Sequence, residues 1–378
     1  MAAPNTMGVP VAAAAAPGAP APQAQGGYVQ PGQVAQASPL AQTFTAWFRG
    51  PGLTSTALSL AIVLGSAAIS AILMLVAMST SESTKTFPTT FSTLPLLMGW
   101  SLGGQFVMSG SNSYETITLT FTLLPMGALT AAGIGVFWLA RRRAAVDGSA
   151  APLVPTLARA GAEALAVALV ACLVTAPFSM TATMMGLKVM TVSSSALMTI
   201  LLVTVVVFVA LVVARSGGSL LERLPSPVVQ VSRELGALST ALGVVLGIFI
   251  IVAYIAAVLI QGSGFASILL LPVLLPNLVL LALGMGSLGG ITLDKSEAAA
   301  ALAYFLPSLG GKDGGDAYAW TWFGSWSILL FAAMIVAIVA AALRVGVRRS
   351  RTGRTEWQRV WQLPLVSLAL GAIVFYGL

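Results

Sequence analysis

The run "TSTALSLAIVLGSAAISAILMLVAMS" at residues 54–79 contains no charged side chain. A helix needs about 20 apolar residues to cross the hydrocarbon of a bilayer, so this run predicts a membrane-spanning helix. The whole chain has the same character, since 57% of its 378 residues are hydrophobic and 8% are charged. A soluble domain carries about 25% charged residues. The sequence therefore predicts a multi-pass membrane protein.

Several other stretches are apolar and long enough to span a membrane. They are residues 117–140, 160–178, 195–214, 238–261 and 326–343. Two stretches are harder to assign. Pro272 and Pro276 interrupt residues 266–288. Residues 362–378 would extend about 24 Å as a helix, which is marginal for a crossing. We predict an all-α, polytopic transmembrane helix bundle with about seven spanning helices plus one or two re-entrant segments.

Arginines follow several of these stretches and set the predicted orientation. They include Arg141, Arg142, Arg143, Arg215 and Arg344. Positive side chains beside membrane spans stay in the cytoplasm. This rule predicts a cell-membrane protein with a cytoplasmic N-terminus, all arginines inside and all lysines outside. The net charge of +7 then indicates contact between cytoplasmic arginines and anionic lipid headgroups, and not nucleic-acid binding.

This orientation leaves two interpretations for residues 266–288. The helix at 238–261 runs outward and the helix at 326–343 starts outside, so an even number of crossings must separate them. Residues 266–288 are then either a re-entrant hairpin or a span answered by a short return through 297–309. The same question arises at 91–110. We favour re-entrant elements, because broken backbone at membrane depth is tolerated where protein or a watery cavity surrounds it.

Composition divides the chain into three parts. Residues 1–48 form a tail rich in proline, alanine and glutamine, which buries too little to fold, so we predict that it is disordered and cytoplasmic. Such a tail is a tether or a binding site for a protein partner. The first charged side chain of the sequence is Arg49, after this tail, so no cleavable signal peptide is expected. Residues 49–235 form a first transmembrane half, and residues 236–378 a second.

Two similar bends suggest an internal repeat. "MGWSLGG" at 98–104 and "GMGSLGG" at 284–290 each follow a long apolar helix and precede another. A shift of 186 positions, the separation of Ser101 and Ser287, superimposes the bends. Both copies start inside, so we predict a parallel internal repeat; the alternative is a coincidence of common residues in chains of similar topology.

These bends supply the candidate binding residues. A pseudo-two-fold arrangement would place them face to face, where glycines allow close approach and broken helices offer free N–H and C=O groups to a ligand. The alternative is that the glycines only permit tight helix packing. The candidate substrate-binding residues are Trp100, Ser101, Gly103, Gly104, Asn277, Ser287, Gly289 and Gly290. "GVVLG" at 243–247 is a GxxxG face that we expect to pack within the chain, ahead of dimerisation.

Few residues suit catalysis or metal binding. The chain has no histidine, one cysteine (Cys172) and no phosphate-binding GxxxxGK[ST] motif. No charged side chain is predicted in the middle of a helix. Glu163 comes closest, one turn into the helix at 160–178 and in i,i+4 relation to Arg159. Ionisable groups inside membranes mark ion-coupled carriers and acid–base sites. We therefore expect neither an ion-coupled carrier nor an enzyme, and no catalytic residue, metal or cofactor.

The runs "LPLLMGWSLGG", "TFTLLPMGALTAAGIGVFWLARRRA" and "LPNLVLLALGMGSLGG" resemble sequences of uncharacterised actinobacterial multi-pass membrane proteins, including the streptophobe-like group. The alanine- and proline-rich tail and the arginine-dominated basic set fit such a source. The resemblance covers roughly residues 50–378. It implies a membrane location and little more, because these families have no established activity.

Two functions follow from these features. The first is a permease-like or channel-like pathway for an uncharged or lipidic solute, built on the paired glycine bends. The second is a non-enzymatic membrane scaffold or interaction protein in cell-envelope assembly, which binds partners through its tail and outer loops. A polar cavity at Ser101 and Ser287 favours the pathway, and a dry contact between helices and glycines favours the scaffold.

Overall fold

The computed structural model describes residues 45, 51–80, 92–111, 116–121, 125–147, 153–184, 187–222, 226–261, 265–287, 290–292, 316–318 and 324–351. All but Thr45 of the predicted tail at 1–48 lies outside these residues, as do the segments 297–309 and 362–378. The α-helices are α1 Pro51–Thr80, α2 Thr93–Ser101, α3 Gly127–Asp147, α4 Leu153–Thr175, α5 Ala196–Glu222, α6 Ser226–Gln261, α7 Phe265–Leu269, α8 Leu271–Gly286 and α9 Ser327–Arg351. The strands are β1 Phe106–Ser111, β2 Thr116–Phe121, β3 Ser179–Met184, β4 Leu187–Ser194, β5 Gly290–Thr292 and β6 Asp316–Tyr318.

The described residues are mostly helical, which confirms the predicted helical class in its broad form, while the predicted count of about seven spanning helices is not confirmed. Five helices are long and apolar enough to cross a membrane. Their spans are Gly52–Ser79, Val154–Thr175, Ala196–Ser216, Val231–Ile260 and Ser327–Val347. These spans are compatible with a membrane location. Nearly all of their exposed large side chains are aliphatic, as expected of surfaces that contact lipid.

Helix α3 differs from the span predicted at 117–140. Strand β2 occupies Thr116–Phe121, and the helix begins only at Gly127. The segment "TITLTF" alternates threonine with apolar side chains at a period of two and is rich in β-branched residues, which favours a strand. Pro125 disfavours helical backbone in the residue before it. From Gly127 to Arg141 the helix rises about 21 Å, which is shorter than the hydrocarbon of a typical bilayer.

The segments that connect the helices of the first half form a four-stranded antiparallel sheet. The predicted all-α class did not include this sheet. Its strand order is β2-β1-β4-β3. The hairpin β1–β2 connects α2 to α3, and the hairpin β3–β4 connects α4 to α5. In the central pair, Phe106 lies opposite Ser194 and Val107 opposite Ser193. We call this end of the helices the sheet end, and the opposite end, where Arg141–Arg143 complete α3, the arginine end.

Helices α1, α3, α4 and α5 pack around one core, with α2 inserted among them. Val63, Ala67 and Ala71 recur every fourth residue along the buried face of α1. Side chains of this size let helix backbones approach closely, as is common in membrane bundles. Leu97 in the middle of α2 and Leu102 just beyond its end are buried in the same core. The short helix α2 therefore belongs to the bundle interior.

The second half consists of α6, α8 and α9, which contact one another. It meets the first half where α8 passes the start of α3. An added Cβ on Gly127 would lie 2.4 Å from the carbonyl oxygen of Pro272, so glycine is needed for this approach. Beside it, the backbone N–H of Met126 donates to Asn277 Oδ1 at 3.2 Å. Two adjacent contacts thus fix α8 against the N-terminus of α3.

The two halves share an order of elements. A long helix, a short proline-containing helix, an antiparallel strand pair and a helix with arginines occur in this order as α1, α2, β1–β2, α3 and as α6, α8, β5–β6, α9, with the short α7 as an extra element between α6 and α8. The predicted use of the GxxxG face is not seen among the described residues. Nothing in that part of the chain lies within 4 Å of an added Cβ at Gly243 or Gly247.

Candidate functional site

The first glycine bend is the C-terminal end of α2. The N–H of Leu102 donates to Met98 O at 3.0 Å, and the N–H of Gly104 donates to Gly99 O at 2.9 Å. Gly103 between them has φ +96°, a left-handed conformation that favours glycine. The "SLGG" sequence therefore ends the helix, and the N–H groups of Leu102, Gly103 and Gly104 all donate to backbone oxygens of α2 itself.

Hydroxyl-bearing residues of α5 and β4 enclose this bend. An added Cβ on Gly99 would lie 2.6 Å from Ser194 Oγ, and one on Gly104 would lie 2.8 Å from Thr199 Oγ1. An added Cβ on Gly103 would lie 2.4 Å from Leu202 Cδ1. These distances are shorter than contacts that real Cβ atoms make, so a side chain at any of the three positions would displace a neighbour. The bend is closely packed against β4 and α5.

The serine of the same bend is also turned inward. Ser101 is wholly buried, and its hydroxyl donates to Met98 O at 2.8 Å within its own helix. Trp100 is half-buried and packs against the core of the first half. The structure therefore places Trp100, Ser101, Gly103 and Gly104 together, but as packing residues.

The second bend has a different environment. Ser287 is exposed, and its hydroxyl donates to Leu283 O at 2.7 Å at the end of α8. Gly286 lies against Met334 of α9, with an added Cβ 3.4 Å from that side chain. Gly290 begins β5, and Gly289 lies outside the described residues. The nearest neighbours of Gly99, Gly103 and Gly104 all come from the first half. Face-to-face contact between the bends stays a prediction.

Asn277 is the only other sequence candidate, and it lies at the junction of the halves. Its Oδ1 accepts from the N–H of Met126, which precedes α3 and would otherwise be one of the unpaired donors of a helix N-terminus. A side-chain acceptor at this position caps the helix from a different element of the fold. Its described role is therefore to join α8 to α3.

Glu163 is a polar site that the sequence analysis misplaced. It is wholly buried, and α4 begins at Leu153, so Glu163 lies about 15 Å along the helix instead of one turn into it. Its Oε1 accepts hydrogen bonds from Ser55 Oγ at 2.8 Å and from Ser59 Oγ at 3.4 Å. Its Oε2 accepts a hydrogen bond from Arg215. The ion-pair partner is therefore Arg215 and not Arg159, the residue suggested by the i,i+4 spacing.

This cluster joins three helices, because Ser55 and Ser59 belong to α1, Glu163 to α4 and Arg215 to α5. Arg215 Nη2 also donates to Ser55 Oγ at 3.2 Å, so the three groups form a closed network. A buried carboxylate is strongly disfavoured unless it is paired and hydrogen-bonded, and here both oxygens have donors. The network lies nearer the arginine end than the glycine bend does.

The cluster could have been found from one signal. Ser55 and Ser59 lie four residues apart on α1, so both hydroxyl groups face the same neighbouring helix. A buried carboxylate on that helix needs hydrogen-bond donors of this kind. The span predicted from the apolar run begins at residue 160, which places Glu163 at its edge. Two further helical turns before that run move the carboxylate to the middle of α4.

The chemistry available among the described residues is limited. No group of three or more histidine, cysteine, aspartate or glutamate side chains forms a metal site in this part of the chain. Cys172 is buried in α4 and forms no disulfide. No family model, curated protein or solved structure matches this chain. The resemblance to the streptophobe-like group therefore stays a prediction.

Proposed function

We propose that this chain is a non-enzymatic scaffold or interaction protein of the cell membrane, acting in cell-envelope assembly. The observation that carries the proposal is the close packing of Gly99 and Gly104 against Ser194 and Thr199. A solute pathway through this bend would need open, polar space, whereas a fixed support needs tight contacts between helices. The arginine end then faces the cytoplasm by the positive-inside rule, and the sheet end faces outside.

The scaffold depends on a rigid connection between the bundle and the sheet. Ser195 N–H donates to Gln105 O at 2.9 Å, which links the strand that leaves α2 to the start of α5. Strands β1 and β4 lie side by side at the centre of the sheet, so their pairing joins the hairpin β1–β2 to the hairpin β3–β4. Partners would bind the sheet outside and the tail at 1–48 inside.

Site-specific photo-crosslinking in living cells tests this function. A photoreactive residue at Thr118 in β2, an outer strand of the described sheet, should give discrete protein adducts. The same group at Ile335, which is 62% exposed on the apolar surface of α9, is the lipid-facing control and should give none. Adducts of equal pattern at both positions, or none at Thr118, would contradict the scaffold.

A permease-like or channel-like pathway for an uncharged or lipidic solute is the second candidate. The shared element order of the two halves favours it, because many transporters are built from duplicated halves with sites at the repeat interface. A parallel duplication of this chain would explain that order. The test is flux of glycerol or of a fluorescent phospholipid in proteoliposomes.

The flux experiment separates the two candidates. The pathway predicts flux above protein-free vesicles that Gly103→Leu or Gly289→Leu abolishes while the protein stays inserted. The scaffold predicts no such flux. It also predicts that Gly103→Leu disturbs folding, because Leu202 already occupies the space beside Gly103.

A further inference from the structure

The last turns of α3 form a surface groove that neither proposed function uses. Phe137, Trp138, Arg141 and Arg142 line it, and its volume is about 380 Å³. Their i,i+4 spacing sets Arg141 next to Phe137 and Arg142 next to Trp138. We propose that this groove binds the phosphate headgroup of an anionic phospholipid at the arginine end of the bundle.

The two guanidinium groups are held by the aromatic rings beside them. Arg142 Cζ lies 3.5 Å from the centroid of the Trp138 ring, and Arg141 Cζ lies 5.8 Å from that of Phe137. An arginine that merely reaches for water extends away from the apolar surface, whereas Arg142 lies against the ring one turn back. Stacking on a ring uses the face of the guanidinium and leaves its N–H groups, which lie in the plane, free to donate.

A phosphate group matches what this arrangement offers. Guanidinium groups bind phosphate oxygens through paired, charge-assisted hydrogen bonds. Because the rings already restrict both side chains, less conformational entropy is lost when a ligand binds. The two arginines also follow an uncharged stretch that starts at Gly127 and rises about 21 Å, so they lie where apolar surface ends and headgroups begin.

The ligand is a lipid and not a free anion, because the groove combines charge with apolar surface. Trp138 is 54% exposed, and its ring borders the same groove as both arginines. The glycerol and first methylene groups of a phospholipid can cover that ring while its phosphate contacts the arginines. Inorganic phosphate has nothing to place there. Tryptophan is also enriched at the level of the headgroups in membrane proteins.

Native mass spectrometry of the full chain in detergent tests the site. Phosphatidylglycerol and phosphatidylcholine with identical acyl chains are titrated separately, and we expect the first to bind about tenfold more tightly. Trp138→Leu keeps both arginines and should lose most of this preference. Arg142→Gln should lose it as well. Both side chains are exposed, so the variants should unfold at the same temperature as the unchanged protein.

Arg344→Gln is the matched control. It removes the same charge from an exposed position on α9, where the residue one turn earlier is Ala340 and not an aromatic ring. We expect its preference for phosphatidylglycerol to stay within about twofold of the unchanged protein, since Arg344 does not line the groove and an exposed ion pair is worth little. Equal losses in Arg142→Gln and Arg344→Gln, with Trp138→Leu unchanged, would show diffuse attraction and overturn the proposal. Competition by millimolar inorganic phosphate as strong as that by the lipid would overturn the lipid assignment.

Discussion

Arg215 of α5 donates a hydrogen bond to the wholly buried carboxylate of Glu163 in α4, and Ser55 of α1 donates to the other carboxylate oxygen at 2.8 Å. Three helices that are distant in sequence thus meet at one side chain. A packed apolar face tolerates small sliding movements, but a charged hydrogen-bond network has one favourable arrangement. This contact therefore fixes the register of α1, α4 and α5 towards the arginine end.

Removing the carboxylate should destabilise the bundle. Glu163→Ala leaves the Arg215 guanidinium, whose side chain is 15% exposed, without its counter-charge. We expect the free energy of unfolding to fall by about 3 kcal/mol, the lower part of the range for a broken buried pair. The measurement is reversible unfolding of the purified protein from mild detergent into dodecyl sulfate, followed by circular dichroism.

The double variant Glu163→Leu with Arg215→Leu is the control for this prediction. Apolar residues of similar volume can replace a buried ion pair with little loss, so most of the stability should return. A double variant as unstable as Glu163→Ala would contradict the network as described. Ser55→Ala should cost about 1 kcal/mol, because it removes one hydrogen bond to a carboxylate that keeps other donors.

Alanine at the first bend should destabilise the protein through overpacking. The added methyl group of Gly104→Ala would lie 2.8 Å from Thr199 Oγ1, and that of Gly99→Ala would lie 2.6 Å from Ser194 Oγ. We expect each to lower the free energy of unfolding by about 1–3 kcal/mol. In the same unfolding assay, Gly65→Ala is the control, because nothing lies within 4 Å of its added Cβ. Stability unchanged by Gly104→Ala would show that the bend has open space and would favour the pathway.

The long helices were predictable because each corresponds to one continuous apolar run in the sequence. The run at 54–79 became α1, and the run at 326–343 became most of α9. Glu163 was misplaced for the same reason, since apolar runs locate the hydrocarbon and not the ends of a helix. The first turns of α4 contain Pro155 and Arg159 and so fell outside the run. Burial of a charge depends on neighbours from other helices, which a run of one helix does not contain.

The sheet could not be predicted, because its pairing joins segments far apart in the sequence. The short segments of β1 and β4 are separated by two whole helices, and only folding of α3 and α4 brings Val107 opposite Ser193. The tight fit of the first bend was also invisible, since "SLGG" is compatible with an open turn or a packed one. Its partners Ser194 and Thr199 arrive from β4 and α5.

Cysteine pairs test the register of that sheet. Directly opposed residues in antiparallel strands have Cβ atoms about 4.5–5.5 Å apart, close enough for a disulfide after small adjustment. With Cys172→Ala as background, Val107→Cys with Ser193→Cys should form a disulfide on mild oxidation, seen as a shift in non-reducing electrophoresis. Val107→Cys with Thr191→Cys is displaced by two residues and should oxidise much more slowly. The opposite order of rates would contradict the register between β1 and β4.

The junction between the two halves depends on Gly127, a position where no side chain fits. An added Cβ on Gly127 would overlap the backbone of Pro272 and Val273, and backbone cannot rotate away as a side chain can. Gly127→Val should therefore push α8 off the start of α3 and break the hydrogen bond from Met126 to Asn277. We expect a disulfide between Met126→Cys and Asn277→Cys, in the Cys172→Ala background, to form readily with Gly127 present and at least about tenfold more slowly with valine there. Gly243→Val is the control, since its added Cβ has open space and should leave the oxidation rate unchanged. If Gly127→Val oxidises at the normal rate, the halves are not held together at this contact.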